Sequence, residues 1–120
     1  MDKSTLIDAI KENAKYFLEE AGDFFPFAVC VNDEDQFVPL YLNEEEEFPD
    51  EESMIAELKF CVTKAIDDDS FINGAIAYYE TVNKDDLTLD CVRVLFFDNN
   101  KQQTTEDFTY SIKNKKVVFH

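Results

Sequence analysis

Val92-Arg93-Val94-Leu95-Phe96-Phe97 is apolar at every position except Arg93. Successive side chains of a strand point to opposite sides of a sheet, so a half-exposed strand alternates, and this one does not. The run reads as a central strand with both faces covered, by the rest of the chain or by a partner. It closes a longer predicted strand, Leu87 to Phe97, which follows another, Ile72 to Val82, across Asn83-Lys84-Asp85-Asp86.

Working outward toward the C-terminus, Asp98-Asn99-Asn100-Lys101 leads to an alternating strand from Thr105 to Lys113, with Phe108, Tyr110 and Ile112 as its buried face. Lys113-Asn114-Lys115 then turns into a short last segment, Val117 to Phe119. Toward the N-terminus, Met54, Ile55, Leu58, Cys61, Val62, Ala65 and Ile66 recur at helical spacing and predict a helix over about residues 51–66. Before it, Phe25 to Val31 and Phe37 to Leu42 flank Asn32-Asp33-Glu34-Asp35 and predict a hairpin. Pro39 has no N–H to donate, which puts the second strand at an edge or a bulge. Leu6, Ile10, Ala14, Phe17 and Ala21 form one stripe of a first helix over about residues 5–21. Ser4, or Thr5 with Asp8, is placed to cap its start, and Gly22 to stop it in a left-handed turn.

These elements predict one α+β domain over residues 1–120, in the order αββαβββ, with the short C-terminal segment a candidate eighth element. The expected architecture is a two-layer sandwich, with two helices packed on one face of a mainly antiparallel sheet. Helices on one face would leave the other face uncovered and rich in aromatic residues, a candidate surface for a homodimer.

Charge is the second strong signal: 27 Asp and Glu against 11 Lys and Arg, a net −16. The acids fall in runs: Asp33-Glu34-Asp35, Glu44 to Glu47 continuing to Asp50-Glu51-Glu52, Asp67-Asp68-Asp69, and Asp85-Asp86. Asp50, Glu51 and Glu52 suit a helix N-terminus, whereas Asp67, Asp68 and Asp69 oppose the dipole at a helix C-terminus. Chain direction puts the first hairpin tip and the end of the second helix at one pole, and the remaining runs at the other. Such a field repels phosphate backbones and anionic lipid, which argues against nucleic-acid and membrane binding, and attracts basic proteins.

Hydrophobic residues make up 45% of the chain, enough for a core and too many for a disordered acidic tail. No secretory signal and no apolar run of about 20 residues is present, so a cytoplasmic location is expected. Cys30, Cys61 and Cys91 sit among apolar residues and are expected to be reduced and mostly buried.

Motifs for chemistry are missing. Asp69, Asn73, Gly74, Ile76 and Glu80 fall at EF-hand spacings, but Phe71, which cannot ligate, occupies loop position three and strand follows where a helix should exit. No metal or cofactor is expected. The one histidine, His120, is terminal, and no nucleophile or phosphate-loop motif occurs, so no enzyme activity is expected. Asp90, within an otherwise apolar strand, is the one candidate for acid–base work with nearby tyrosines; the plainer reading is an outward Asp.

Several segments resemble an uncharacterised group of small bacterial proteins. Asp23-Phe24-Phe25-Pro26-Phe27-Ala28 resembles that group's F-Y-P-F-A lead-in to the first strand, and Ala75-Ile76-Ala77-Tyr78-Tyr79 its A-I-A-Y strand. Leu89-Asp90-Cys91-Val92-Arg93-Val94 is similar to a D-A-I-R-V strand, and Phe108-Thr109-Tyr110 to a terminal P-Y. The resemblance implies an α+β fold and a bacterial source, and carries no activity.

The functional expectation is a non-catalytic, acidic protein-binding domain that occupies a basic surface through Asp33, Glu34, Asp35, Asp67, Asp68 and Asp69. Its most concrete form is an immunity protein that blocks the basic cleft of a toxin such as a nuclease. The alternative is an accessory domain, dimeric through its sheet, whose charge serves solubility.

Overall fold

A computed structural model describes residues 3–42 and 50–120. The element order is α1 (Lys3–Ala21), β1 (Phe27–Val31), β2 (Phe37–Tyr41), α2 (Glu51–Asp67), β3 (Asn73–Lys84), β4 (Leu87–Phe97), β5 (Gln103–Lys113) and β6 (Lys116–Phe119). The class is α+β as expected, and the short last segment is a true strand, so the order is αββαββββ rather than αββαβββ. All six strands form one antiparallel sheet in the order β2-β1-β3-β4-β5-β6. Pro39 lies on the edge strand β2, where its missing N–H costs no ladder bond.

The two helices lie on opposite faces, which corrects the expectation of helices on one face. Side-chain parity shows it. Phe27, Val29 and Val31 of β1 pack with Leu6, Ile10, Ala14 and Leu18 of α1, while the alternate residues Ala28 and Cys30 pack with Leu58, Val62 and Ile66 of α2. In β4, Val92 and Val94 join the first cluster, and Leu95 and Phe97 the second. Strands apolar on both sides need cover on both sides, and one helix supplies each. The exposed aromatic sheet face expected above is therefore not present. Where α2 does not reach, that face carries Arg93, whose guanidinium pairs with Asp107 (2.7 Å) and Glu80 (3.7 Å).

Gly74 makes the α2 contact possible: a Cβ there would sit 2.9 Å from Val62 Cγ1 and 3.0 Å from Cys30 Sγ. At the other helix, Gly22 takes φ +77 and donates to the Leu18 carbonyl, ending α1 in the expected left-handed turn. Ser4 and Thr5 already lie inside α1, so neither caps it. α2 is capped by Asp50, whose Oδ1 accepts from the Glu52 N–H (3.3 Å). Its buried stripe is Met54, Leu58, Val62 and Ile66; Cys61 faces outward, against the expectation of a buried thiol, while Cys30 and Cys91 are buried and all three are free.

The acidic turns have a backbone logic that composition hides. Asp85 and Asp86 both adopt positive φ (52 and 62), the two-residue turn that matches strand twist in a hairpin. Asp35 (φ 60) occupies the left-handed position of the first hairpin, whose Asn32 Oδ1 accepts from the Glu34 and Gln36 amides. Asp69 (φ 59) stands where a glycine usually ends a helix: its N–H reaches the Ile66 carbonyl and the Ser70 N–H the Ala65 carbonyl.

Candidate functional site

The acidic residues expected to bind a partner fall at one end of the sheet. The Ile72 N–H donates to the Val31 carbonyl at 2.8 Å, which ties the end of the α2–β3 connection to the base of the Asn32–Gln36 turn. Register places the β4–β5 turn there too, since Gly74 pairs with Phe97. Asp33, Glu34, Asp35, Asp67, Asp68 and Asp69 are all exposed at this end, with the half-buried Asp98 beside them. Lys101 reaches across from the β4–β5 turn to Asp67, Nζ to Oδ1 2.7 Å. Turn geometry explains a short polar residue at Asp35 and Asp69, but requires no acid at Asp33, Glu34, Asp67 or Asp68. The run Glu44 to Glu47, expected at the opposite pole, lies outside the described residues.

A second cluster was only partly anticipated. β1 begins opposite Ala77, so β3 runs on from Tyr78 to Lys84 with β4 as its neighbour and no β1 beside it. On the α1 face of this overhang, just past the end of α1, lies a cleft of about 430 Å³ lined by Gly22, Asp23, Glu51, Tyr79, Asp90, Tyr110 and Ile112. Three strands build its floor by register: Asp90 stands directly opposite Tyr110, and Tyr79 is its diagonal neighbour on β3. The Tyr79 hydroxyl donates to Asp90 Oδ1 at 2.6 Å. Asp90 is thus exposed, as its plainer reading held, but it belongs to a tyrosine pair rather than standing alone.

The electrostatics of this cleft are those of unneutralised carboxylates. Burial, with the charges of Asp23 and Glu80, raises the Glu51 carboxyl above its usual range. The hydrogen bond to Asp90, with burial and the Asp90 and Asp23 charges, pushes Tyr79 up to about 12, and burial raises Tyr110. Both phenols therefore keep their protons at neutral pH and serve as hydrogen-bonding groups rather than bases. Asp90 was singled out from the sequence with unnamed tyrosines; Tyr79, Tyr110, Asp23 and Glu51 were not assigned to it, because only strand register and the end of α1 bring them together.

Beside this cleft, an apolar pocket of about 680 Å³ is lined by Phe17, Phe24, Phe25, Tyr41, Leu42 and Met54 among others. Among the described residues, no group of three or more His, Cys, Asp or Glu converges closely enough to hold a metal ion. No helix among them is long and apolar enough to cross a membrane. Comparison with protein-family models, with curated proteins and with solved structures gives no match.

Proposed function

We propose that this chain is a non-catalytic binding domain whose acidic end docks on a basic protein surface. The reading rests on one observation: two carboxylate runs distant in sequence share one end of the sheet, where Lys101 pairs with Asp67. Three acids at a helix C-terminus oppose the dipole by about 0.3–1 kcal/mol each, a cost that local stability does not explain and a partner's cations would offset. A dense negative patch speeds encounter with a basic partner and repels nucleic acid. An immunity protein occupying the basic cleft of a toxin is the most concrete form of this role.

The test is charge reversal at positions with no backbone duty, Glu34→Lys with Asp68→Lys, followed by association rates with a basic partner recovered by affinity capture. The expected result is slower association and a shallower salt dependence, because exposed charges are screened over about 10 Å at 0.1 M salt and about 3 Å at 1 M. Rates equal to wild type, independent of salt, would favour the accessory-domain reading in which charge serves solubility.

A further inference from the structure

A strand without a neighbour presents a row of free N–H and C=O groups to any extended chain. Among the described residues four stretches of the sheet are open in this way. They are the outer sides of β2 and β6, β3 from Tyr78 to Lys84 past the start of β1, and β5 from Gln103 to Phe108 past the end of β6. In an antiparallel ladder alternate residues direct their backbone groups to opposite sides, so one bond fixes which residues face the open side.

Three of these stretches have an outward N–H removed or occupied. The Asn32 N–H bonds the Gln36 carbonyl, so β2 turns Phe37, Pro39 and Tyr41 outward, with a proline in the middle. The His120 N–H bonds the Thr109 carbonyl, so β6 turns Val117 outward, and Glu19 Oε2 accepts its N–H at 3.1 Å. Lys84 and Leu87 flank a two-residue turn, which directs Thr81 of β3 away from β4, and Glu80 Oε1 accepts the Thr81 N–H at 3.0 Å. β5 has no such device. The same His120 bond turns Gln103, Thr105 and Asp107 to the open side, all three exposed, and among the described residues no side chain bonds their backbone groups.

The charges beside this edge decide what fits it. The chain carries a net −16, yet both acids of the stretch are already paired, Glu106 with Lys3 (3.1 Å) and Asp107 with Arg93 (2.7 Å). An edge neutralised in this way makes no demand for a basic strand and lets a second acidic chain approach. We propose that two copies of this chain join edge to edge through β5, antiparallel about a two-fold axis at Thr105, so that one sheet runs through both. Gln103 then exchanges both backbone bonds with the partner's Asp107, and Thr105 with the partner's Thr105.

Side chains select this register. On the α1 face it sets the partner's Glu106 opposite Thr104, whose hydroxyl accepts from Lys3 Nζ at 3.2 Å, so each Lys3 lies between its own Glu106 and the partner's. A slip of the pairing in one direction sets Glu106 directly against the partner's Glu106; in the other it drops Asp107 from the ladder. The surface is distinct from the aromatic sheet face expected from the sequence. It stands whether or not the acidic end binds a basic partner.

The experiment is sedimentation equilibrium of the chain alone, from about 5 to about 500 μM, in about 0.3 M salt to shorten the reach of the net charge. Amide hydrogen exchange is read at both ends of the series. The expected result is a mass that rises from monomer toward dimer, with protection at the Gln103, Thr105 and Asp107 amides that grows with concentration and none gained at Thr81. Thr105→Pro removes the central N–H as Pro39 does on β2, and should weaken pairing by about tenfold or more. Thr104→Glu leaves the backbone alone and faces the partner's Glu106 with a like charge, which should weaken pairing about threefold or more; Thr104→Lys should strengthen it by a similar factor. Glu34→Gln, one charge unit at the acidic end, should change little. A monomer at every concentration would overturn the proposal and leave this edge to a strand of another protein. So would a dimer that protects none of the three amides, a dimer that both Thr105→Pro and Thr104→Glu leave intact, or a gain from Glu34→Gln as large as that from Thr104→Lys.

Discussion

Replacing Asp69 by glycine should make this protein more stable, and the size of the gain can be worked out from the end of α2. Asp69 sits at φ 59 as the residue that ends the helix, with the Ser70 N–H closing on the Ala65 carbonyl. A residue with a Cβ costs roughly 1–2 kcal/mol in that conformation, with aspartate at the low end because its short side chain tolerates it. Its carboxylate also faces the negative end of the helix dipole, at about 0.3–1 kcal/mol. Against these stands the extra freedom of glycine in the unfolded chain, about 0.5–1 kcal/mol. The balance favours Asp69→Gly by about 0.5–1 kcal/mol, a rise in Tm of roughly 2–5 °C for a domain of this size. Urea unfolding of wild type, Asp69→Gly and Asp69→Asn separates the contributions. Asp69→Asn removes the charge and keeps the conformation, so its gain should be smaller and fade with salt. If Asp69→Gly is no more stable than Asp69→Asn, the left-handed backbone carries no penalty and the reasoning fails. A gain in stability coupled to slower partner association would show a carboxylate retained for binding at the expense of the helix end.

Two further outcomes are expected. Native protein should react with one equivalent of Ellman's reagent, at Cys61, because Cys30 and Cys91 are buried, with burial pushing their thiols up to about 12 and about 11; denaturant should expose all three. Since the Glu51 carboxyl is raised in the folded state by burial and by Asp23 and Glu80, ionising it disfavours folding, so its contribution is full below the unfolded pKa and lost as pH rises through the folded value. Glu51→Gln should accordingly be more stable than wild type at pH 7, with the difference closing in acid; the opposite sign would mean that the α2 dipole outweighs the neighbouring carboxylates.

Much of this fold can be read from the sequence, element by element, and what failed is instructive. β4 was legible to the residue because turn-forming Asp85-Asp86 and Asp98-Asn99 bracket it. Its doubly apolar run also stated that both faces are covered. The assignment of both helices to one face left the second cover to a partner, since the chain can pass from β2 across β1 to β3 on either side and periodicity says nothing about which. β1 carries the same message in five consecutive buried residues. Cys61 was misplaced by one helical step: an apolar residue beside a stripe looks like part of it until the packing partner is known. The acidic runs were legible as charge, but their duty as left-handed turn residues was not, because φ is set by the closing hydrogen bonds. The cleft needed strand register, which no local pattern supplies.

The hydrogen bond from the Val117 N–H to Glu19 joins residues 98 apart, and the α1 stripe rests on β4, Tyr110 and Val117 as well as β1. During synthesis at about 5–20 residues per second, Val117 is made roughly 5–20 s after Glu19. For that interval the first helix leaves the ribosome with its apolar stripe uncovered on the side that later elements will fill. A nascent chain in that state meets other nascent chains before it meets its own last strand. Charged turns stand between the apolar segments throughout, carboxylate runs up to β4 and Lys113, Lys115 and Lys116 before the last strand, placed as gatekeepers would be for this period.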